Sequence, residues 1–330
     1  MGKFNKILKA IILSAVIISP LSYNVLASSN EVRSTSDSNS TINSSSTIST
    51  QNSSLQGKVK VVASFYPIFE FVKKVGGDKV EVSSLIPVGI EPHDFEATIQ
   101  QIQNAETADM LVFNGVGFEG QRIKDIDAKF VLDTSKGLNL TSSTNGYVDD
   151  GAVLSDPHIW LDPVLAKGQV EKIRDGLTKL DPINVEYYNE NAEKFLSELE
   201  NLNINIRSVL SNCEKKDFIT FHKAFSYFAN RYGLTQHSIH EATSPEGEIL
   251  PQRIQQIINL ARDLGLDTIY SEDLADPRLA NVIAQEIPNG KVLILSPIEG
   301  INQEEQKTGV GYISKMKNNI ENLKAGLNCN

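Results

Sequence analysis

DPINVEYYNENAEKFLSELENLNINIRSVL, residues Asp181–Leu210, is the stretch of sequence that decides the fold. An Asp is a favourable N-cap and a Pro is favoured at the first helical position, so Asp181 and Pro182 predict the start of a helix. No Gly or Pro follows as far as Leu210, and the apolar residues recur at helical spacing. About 28 residues at 1.5 Å each predict a helix of roughly 42 Å, long enough to run the height of two domains.

Short apolar runs alternate with segments of helical spacing on both sides of this helix. The predicted strands are Val61–Phe65, Val80–Ile86, Met110–Asn114, Lys129–Leu132, Asp217–Thr220, Thr268–Tyr270 and Val292–Leu295. The other predicted helices are Tyr66–Val75, Thr98–Ala108, Lys223–Tyr232, Pro251–Leu264, Arg278–Glu286 and Tyr312–Leu327. Strands that alternate with helices imply parallel sheets covered by helices. We therefore predict an α/β fold of two lobes, with parallel sheets covered by helices, that flank one long helix.

The N-terminal segment has the pattern of an export signal. Three lysines, Lys3, Lys6 and Lys9, precede an uncharged apolar run, and Val25 and Ala27 fit the small-residue positions of a signal-peptidase site. The segment is either a cleaved signal peptide or a retained membrane anchor, and the pattern leaves both open. We expect an extracytoplasmic protein, at the cell surface or secreted.

A tether follows this segment, because the next residues are mostly Ser, Thr and Asn and hold too few apolar side chains to fold. The predicted segments are the signal peptide or anchor at 1–27, the disordered tether at 28–57, the N-terminal lobe at 58–180, the connecting helix at 181–212 and the C-terminal lobe at 213–330.

Composition narrows the possible partners. The 330-residue chain carries a formal net charge of −10, which argues against nucleic acid because that partner needs a basic surface. Hydrophobic residues make up 40% of the chain, which is compatible with a packed core. The two cysteines, Cys213 and Cys329, either form one disulfide or remain as thiols. Sequence cannot decide between these, since a disulfide requires the two residues to be close in space.

Three of the five histidines have similar settings. His93 comes just after a predicted strand, His158 lies in an Asp-Pro-His run, and His222 follows a strand and opens a helix. Loops after the carboxyl ends of parallel strands line the binding crevice, and histidine is a common ligand for Zn²⁺ and neighbouring metals. Any one of them alone would be interpreted as a capping or hydrogen-bonding residue. Together they predict a metal ion in the cleft between the lobes, whereas His237 and His240, in a predicted outer strand, are not expected to be ligands.

One glycine pattern suggests a different function. Residues Gly115–Gly120 read Gly-Val-Gly-Phe-Glu-Gly and match the G-x-G-x-x-G pattern of dinucleotide sites. That pattern normally follows the first strand of its unit, whereas here it follows the third strand of a protein expected to be exported. We interpret it as a tight turn that leads into a helix near Gln121.

Three histidine-centred motifs stand out: Pro92–Thr98 (PHDFEAT), Asp156–Pro163 (DPHIWLDP) and His222–Phe228 (HKAFSYF). They resemble the histidine motifs of the zinc- and manganese-binding receptors of ABC importers, the cluster A-I metal receptors. The resemblance covers nearly all of the predicted folded part; shorter matches lie at Tyr232–Leu234, Tyr270–Glu272 and Tyr312–Ile320. It implies two lobes joined by a rigid helix, one metal ion in the cleft, no catalysis and a membrane permease as partner.

The fourth metal ligand departs from that family's pattern. Receptors of the family usually carry an acidic residue at the position of Ser296, and serine is a poor metal ligand. Glu272, at the end of a predicted strand, is the first choice, either as a direct ligand or as the hydrogen-bond partner of a ligating histidine. Glu299 is the second choice, and failing both a water would complete the tetrahedron. Residues 139–155 contain no His, although many zinc-binding members of the family have a His-rich loop there.

The predicted cargo is one divalent metal ion. Three imidazoles favour Zn²⁺ over Mn²⁺, which prefers carboxylate and water oxygens; Mn²⁺ and Fe²⁺ remain alternatives.

The alternative function is a secreted zinc-dependent hydrolase that uses a three-His site with an open fourth position. The chain has neither H-E-x-x-H nor G-x-S-x-G, which disfavours an enzyme. A surface adhesin would leave the histidines without a shared purpose, and we expect a monomer.

Overall fold

The computed structural model describes residues 57–120, 123, 125–140, 147–149, 152–154, 156–240 and 249–330. The predicted signal or anchor and the tether lie outside the described residues, apart from Gly57 at the end of the tether. Among the described residues, each helix is too short or too polar to cross a membrane. The predicted segment boundaries stay a prediction.

The N-terminal lobe is built on a four-stranded parallel sheet. Its strands are β1 (Val59–Ala63), β2 (Val80–Ser84), β3 (Met110–Phe113) and β4 (Val131–Asp133), in the order β2-β1-β3-β4. Helix α1 (Tyr66–Gly76) follows β1 and helix α2 (Ile99–Thr107) precedes β3. Helix α2 begins with a capping box between Thr98 and Gln101, which satisfies backbone N–H groups at its start. An antiparallel hairpin of β5 (Tyr147–Asp149) and β6 (Ala152–Leu154) was not predicted.

Two helices follow one another between the sheets in sequence. Helix α3 (Pro163–Leu180) was not predicted, although Asp162 caps it by accepting the N–H of Val164. The long helix, α4, spans Val185–Ser211 and is 27 residues long. Its predicted start was wrong, because Asp181 does not cap it and a 3₁₀ turn intervenes at Pro182–Asn184.

The C-terminal lobe repeats the architecture of the first. Its strands are β7 (Asp217–Thr220), β8 (Thr235–Ser238), β9 (Thr268–Ser271) and β10 (Lys291–Ile294), all parallel and in the order β10-β9-β7-β8. Its helices are α5 (Ser226–Tyr232), α6 (Pro251–Asp263), α7 (Arg278–Gln285), α8 (Gln303–Thr308) and α9 (Tyr312–Gly326). Helix α8 was not predicted. The α/β fold with two parallel sheets covered by helices is confirmed.

One hydrophobic core runs through both lobes. It joins Val61 of the first sheet and Phe195 of α4 to Phe218 of the second sheet. Helix α4 contacts α1 and α3 from the first lobe and α5 and α9 from the second. Hydrogen bonds also cross between the lobes, among them one from the Tyr312 hydroxyl to the Trp160 carbonyl (2.5 Å). The lobes therefore share buried contacts as well as a connecting helix.

A disulfide settles the question that the sequence left open about the cysteines. Cys213, just after α4, is bonded to Cys329 near the end of the chain. The bond ties the C-terminal end of the long helix to the segment that follows α9. It closes a loop with a sequence separation of 116 residues.

Candidate metal centre

Three histidines reach the junction of the two lobes from three loops. His93 lies in a 3₁₀ turn, Pro92–Asp94, which comes between β2 and α2. His158 directly precedes the 3₁₀ turn Ile159–Leu161 that leads into α3. His222 comes two residues after the end of β7. His158 and His222 are fully buried, and the His93 side chain is 10% exposed.

The Nε2 atoms of these imidazoles converge on a single carboxylate. Glu299 Oε1 lies 3.1 Å from His93 Nε2, 3.1 Å from His158 Nε2 and 3.5 Å from His222 Nε2. The Nε2 atoms of His158 and His222 are 3.2 Å apart. All four candidate ligand atoms lie within 4.8 Å of one another.

These separations match a tetrahedral zinc site. Zinc–nitrogen and zinc–oxygen bonds of about 2.0–2.1 Å at tetrahedral angles put neighbouring ligand atoms roughly 3.3 Å apart. Four of the six separations in the cluster, 3.1, 3.1, 3.2 and 3.5 Å, lie on both sides of that value, and the other two are within 4.8 Å. The cluster needs only small adjustments to hold a four-coordinate ion.

Two further carboxylates orient the imidazoles. His158 Nδ1 lies 2.7 Å from Asp156 Oδ1, and His222 Nδ1 lies 2.7 Å from Glu272 Oε1. Each carboxylate oxygen also accepts the backbone N–H of the same histidine, at 3.0 Å in both cases. A proton on Nδ1 leaves the Nε2 lone pair free to face the cluster. This arrangement of carboxylate, imidazole and ion is common at metal sites, because it fixes the tautomer and raises ligand basicity.

The electrostatics of the cluster favour positive charge. Burial acts to lower the pKa of His158, but Asp156 and Glu299 outweigh it and raise the pKa. Burial likewise acts against His222, yet Glu272 and Glu299 hold its pKa well above the usual range. Glu299 is buried, which raises a carboxyl pKa, but the surrounding imidazoles hold its pKa well below the usual range. A buried site that stabilises imidazolium in this way also stabilises a bound cation.

Two buried carboxylate oxygens in the site lack a hydrogen bond. Glu299 Oε2 and Asp156 Oδ2 have no partner among the described residues. A buried polar atom without a partner is costly and calls for an explanation. For Glu299 a metal ion supplies one, since a carboxylate can bind an ion through either or both oxygens.

The predicted ligands now have positions. The structure brings His93, His158 and His222 together, and Glu299 lies with them in one cluster. Glu272 lies instead on Nδ1 of His222, in the partner role that was its second predicted possibility. The Ser296 hydroxyl is bonded to Asp273 Oδ2 and to the N–H of Ile298.

Residues outside the predicted set also belong to the site. Asp156, in the Asp-Pro-His motif, was not predicted to have a role, although it lies two residues before His158 and bonds to its Nδ1. Glu91 accepts the N–H of His93 at 3.4 Å, and burial together with Glu299 raises its pKa to about 8. His237 pairs instead with Asp217 at 2.8 Å on the outer strand.

The glycine pattern forms a tight turn. Positive φ angles occur at Gly115, Val116, Gly117 and Gly120. The turn is held by Glu119, whose carboxylate accepts the N–H groups of Asn114 (2.5 Å) and Gly115 (3.1 Å). The predicted helix start near Gln121 lies outside the described residues.

Two parallel α/β lobes with three imidazoles and a carboxylate at their junction define a two-lobe metal-binding protein. Comparison with known proteins is consistent with this class. A family model described as zinc-uptake complex component A, periplasmic (ZnuA), matches residues 61–326. The chain belongs to this family.

Named relatives and solved structures agree. The high-affinity zinc uptake system protein ZnuA of Bacillus subtilis is 35% identical over 295 residues, which are 84% of this chain and 92% of the relative. The zinc-binding protein AdcA of Streptococcus pyogenes is 33% identical over 82% of this chain, which spans only 56% of that longer relative. The crystal structure of the metal-dependent lipoprotein YcdH from Bacillus subtilis has a TM-score of 0.71 at 36% identity, covering 82% of this chain and 99% of that one. The Zn(II)-bound ZnuA-like domain of Streptococcus pneumoniae AdcA has a TM-score of 0.72 at 32% identity, with the same two coverages.

Proposed function

We propose that this protein is an extracytoplasmic receptor that binds one zinc ion and delivers it to the membrane permease of an ABC importer. The ligands are His93, His158, His222 and Glu299. The observation that carries the proposal is the convergence of three Nε2 atoms on Glu299 Oε1 at 3.1–3.5 Å. The relatives named as zinc uptake and zinc-binding proteins support the same cargo.

Zinc suits this donor set better than manganese. Three neutral imidazoles and one carboxylate oxygen in tetrahedral positions are typical of zinc, whereas Mn²⁺ prefers more oxygen ligands in octahedral geometry. Glu299 contributes one negative charge and the partners Asp156 and Glu272 two more. Together these three carboxylates offset the charge of a divalent ion.

A hydrolytic role fits the geometry less well. Catalytic zinc sites keep one coordination position open for water or substrate. Here Glu299 occupies the fourth corner, and its carboxylate is 1% exposed. A receptor needs this closed arrangement, because it holds its cargo without reacting with it.

Export and delivery complete the proposal. The signal-like segment at 1–27 carries the protein across the membrane and is either removed or kept as an anchor. Outside the cytoplasm the receptor acts as a monomer, and its partner is the permease rather than nucleic acid.

Metal titration tests the binding site. Metal-free protein is titrated with Zn²⁺ and with Mn²⁺ in competition with a chromophoric chelator. We expect one Zn²⁺ per chain, tighter binding of Zn²⁺ than of Mn²⁺, and a loss of more than roughly 100-fold in zinc affinity for His222→Ala, since losing a ligand exceeds the effect of losing a partner of a ligand. The matched control is His237→Ala, which removes a histidine outside the cluster. Equal binding of Mn²⁺ and Zn²⁺, or an equal loss in the control, would contradict the assignment.

Uptake by cells tests delivery. Cells that depend on this protein for zinc should grow in zinc-depleted medium with the wild type and with His237→Ala, but not with His222→Ala. Growth with all three proteins would show that the site does not serve zinc uptake.

A further inference from the structure

The segment that carries Glu299 has an unusual backbone. Ile298, the residue before it, is fully buried and has a φ of +57°. A β-branched residue in the left-handed region is a genuine outlier, because its side chain clashes with its own backbone there. Residues of this kind persist only where their surroundings hold them, and they cluster at ligand sites.

The Ser296 side chain is hydrogen-bonded to the backbone of Ile298. Its hydroxyl accepts the N–H of Ile298 (3.1 Å) and donates to Asp273 Oδ2 (2.8 Å). The Asn319 side chain forms two hydrogen bonds with the Ser296 backbone: it accepts one from the Ser296 N–H (2.8 Å) and donates one to the Ser296 carbonyl (2.7 Å). Both residues are buried, so these bonds are shielded from competing water.

Further contacts fix the segment from both lobes. Within the C-terminal lobe, Asp273 also pairs with the buried ammonium of Lys315. From the N-terminal lobe, the Trp160 indole N–H donates a hydrogen bond to the Pro297 carbonyl (2.7 Å). The backbone on the N-terminal side of Glu299 is therefore anchored to two different parts of the molecule.

Glu299 itself has few contacts that would orient it. Among the described residues, the close contacts of its Oε1 are with the three imidazoles, and its Oε2 has no hydrogen-bond partner. The imidazoles orient this carboxylate, and the backbone that carries Glu299 decides whether the carboxylate can reach them. Whatever holds Ile298 in the left-handed conformation also aims Glu299 at the histidines.

We propose that Ser296 is a positioning residue for the metal site: its hydroxyl holds the left-handed turn at Ile298 and so places the Glu299 carboxylate at the fourth ligand position. The inference rests on the proposed zinc-binding function. The serine touches no metal; it acts through Glu299.

A double-mutant cycle tests this role. Zinc affinity is measured for the wild type, Ser296→Ala, Glu299→Ala and the double variant, by competition with a chromophoric chelator. Ser296→Ala should weaken zinc binding by roughly 10–100-fold, the usual effect of losing a residue that orients a ligand. In the Glu299→Ala background the same change should weaken it by less than about 3-fold, because residues that act through one another are not additive.

Co²⁺ in place of Zn²⁺ provides a readout that a merely structural role would not change. The visible spectrum of the Co²⁺-loaded Ser296→Ala protein should move towards that of Glu299→Ala, because both lose the carboxylate from the coordination sphere. The matched control is Ser271→Ala, which removes a buried hydroxyl of the same lobe that has no partner among the described residues. Its affinity and spectrum should equal those of the wild type.

Trp160→Phe covers the case in which Ser296→Ala does not fold. It removes the other tether, to the Pro297 carbonyl, and should show the same dependence on Glu299. An unchanged affinity for either folded variant, an equal loss in both Glu299 backgrounds, or a Glu299→Ala protein that binds zinc like the wild type would overturn the positioning role. A wild type that binds no zinc would instead overturn the proposed function.

Discussion

Glu272→Gln tests whether a residue that never touches the ion sets its affinity. Glu272 Oε1 accepts the backbone N–H of His222 at 3.0 Å and lies 2.7 Å from its Nδ1. Glutamine keeps the size and one acceptor oxygen, but it removes the negative charge behind the imidazole. We expect weaker zinc binding with the fold intact.

The magnitude follows from the geometry. With zinc about 2.0 Å from Nε2, the Glu272 carboxylate lies roughly 7 Å from the ion. A charge of −1 and a charge of +2 at roughly 7 Å interact by about 1 kcal/mol at the dielectric constant of water and about 5 kcal/mol at an effective value of about 20. Partners of metal-ligating histidines typically contribute about 10–100-fold in affinity, which corresponds to about 1.4–2.7 kcal/mol and falls inside that range.

The assay is chelator competition at constant pH, with Asp217→Asn as the matched control. Asp217 pairs with His237 at 2.8 Å, as Glu272 does with His222, but it lies outside the cluster. The control should bind zinc like the wild type, and Glu272→Gln should have a smaller effect in a His222→Ala background, where the carboxylate no longer orients a ligand and only its charge still acts on the ion. Wild-type affinity in Glu272→Gln, or an equal loss in Asp217→Asn, would refute the reasoning.

Three further predictions concern stability and pH. Zinc at roughly 100 times its dissociation constant should add about 2.7 kcal/mol to the free energy of unfolding, which raises the melting temperature by roughly 5–10 °C; a chelator should reverse this, and His222→Ala should abolish it. Zinc affinity should fall as the pH falls, because protons compete for the imidazoles of His158 and His222, whose pKa values are raised in the metal-free protein. At pH values below about 6.5, the unfolded pKa of histidine, the raised pKa of His222 stabilises the metal-free fold, and this stabilisation is lost as the pH rises through the folded pKa. Calorimetry should therefore show the melting temperatures with and without zinc converging as the pH falls, and a constant difference would contradict this. Replacing Cys213 and Cys329 by Ser should lower the free energy of unfolding by about 2–5 kcal/mol in denaturant titrations without changing zinc affinity, and equal stability would show that the bond does not constrain the unfolded chain.

Local patterns predicted the two sheets and the three histidines, but not how the second lobe completes the site. Glu272 and Glu299 follow neighbouring strands, so position along the chain does not separate them. The difference arises at Ile298, whose φ of +57° turns the chain before Glu299. Isoleucine is among the residues least expected in that conformation, and the neighbouring backbone is bonded there to Trp160 and Asn319, which lie far away in the sequence.

The helix starts show a similar limit. Asp162-Pro163 and Asp181-Pro182 carry the same signal in sequence, yet only Asp162 caps a helix. The Asp181 carboxylate accepts bonds from the Asn184 side chain and the Tyr188 hydroxyl, both at 2.7 Å. It therefore holds the turn between two helices, a role decided by side chains that lie further along the chain.

The core shared by both lobes has a consequence for how long an ion stays bound. Rotating one lobe away from the other would expose apolar surface, and roughly 200 Å² of it would cost about 5 kcal/mol at about 25 cal/mol per Å². A barrier of that size slows spontaneous escape by a factor of several thousand, at about 1.4 kcal/mol for each factor of ten. Ser296–Gly300 is itself buried, and Ile298 belongs to the shared core, so this segment does not offer a separate exit. Dwell time is then governed by how rarely the shared core opens, and a docking partner that separates the lobes would shorten it.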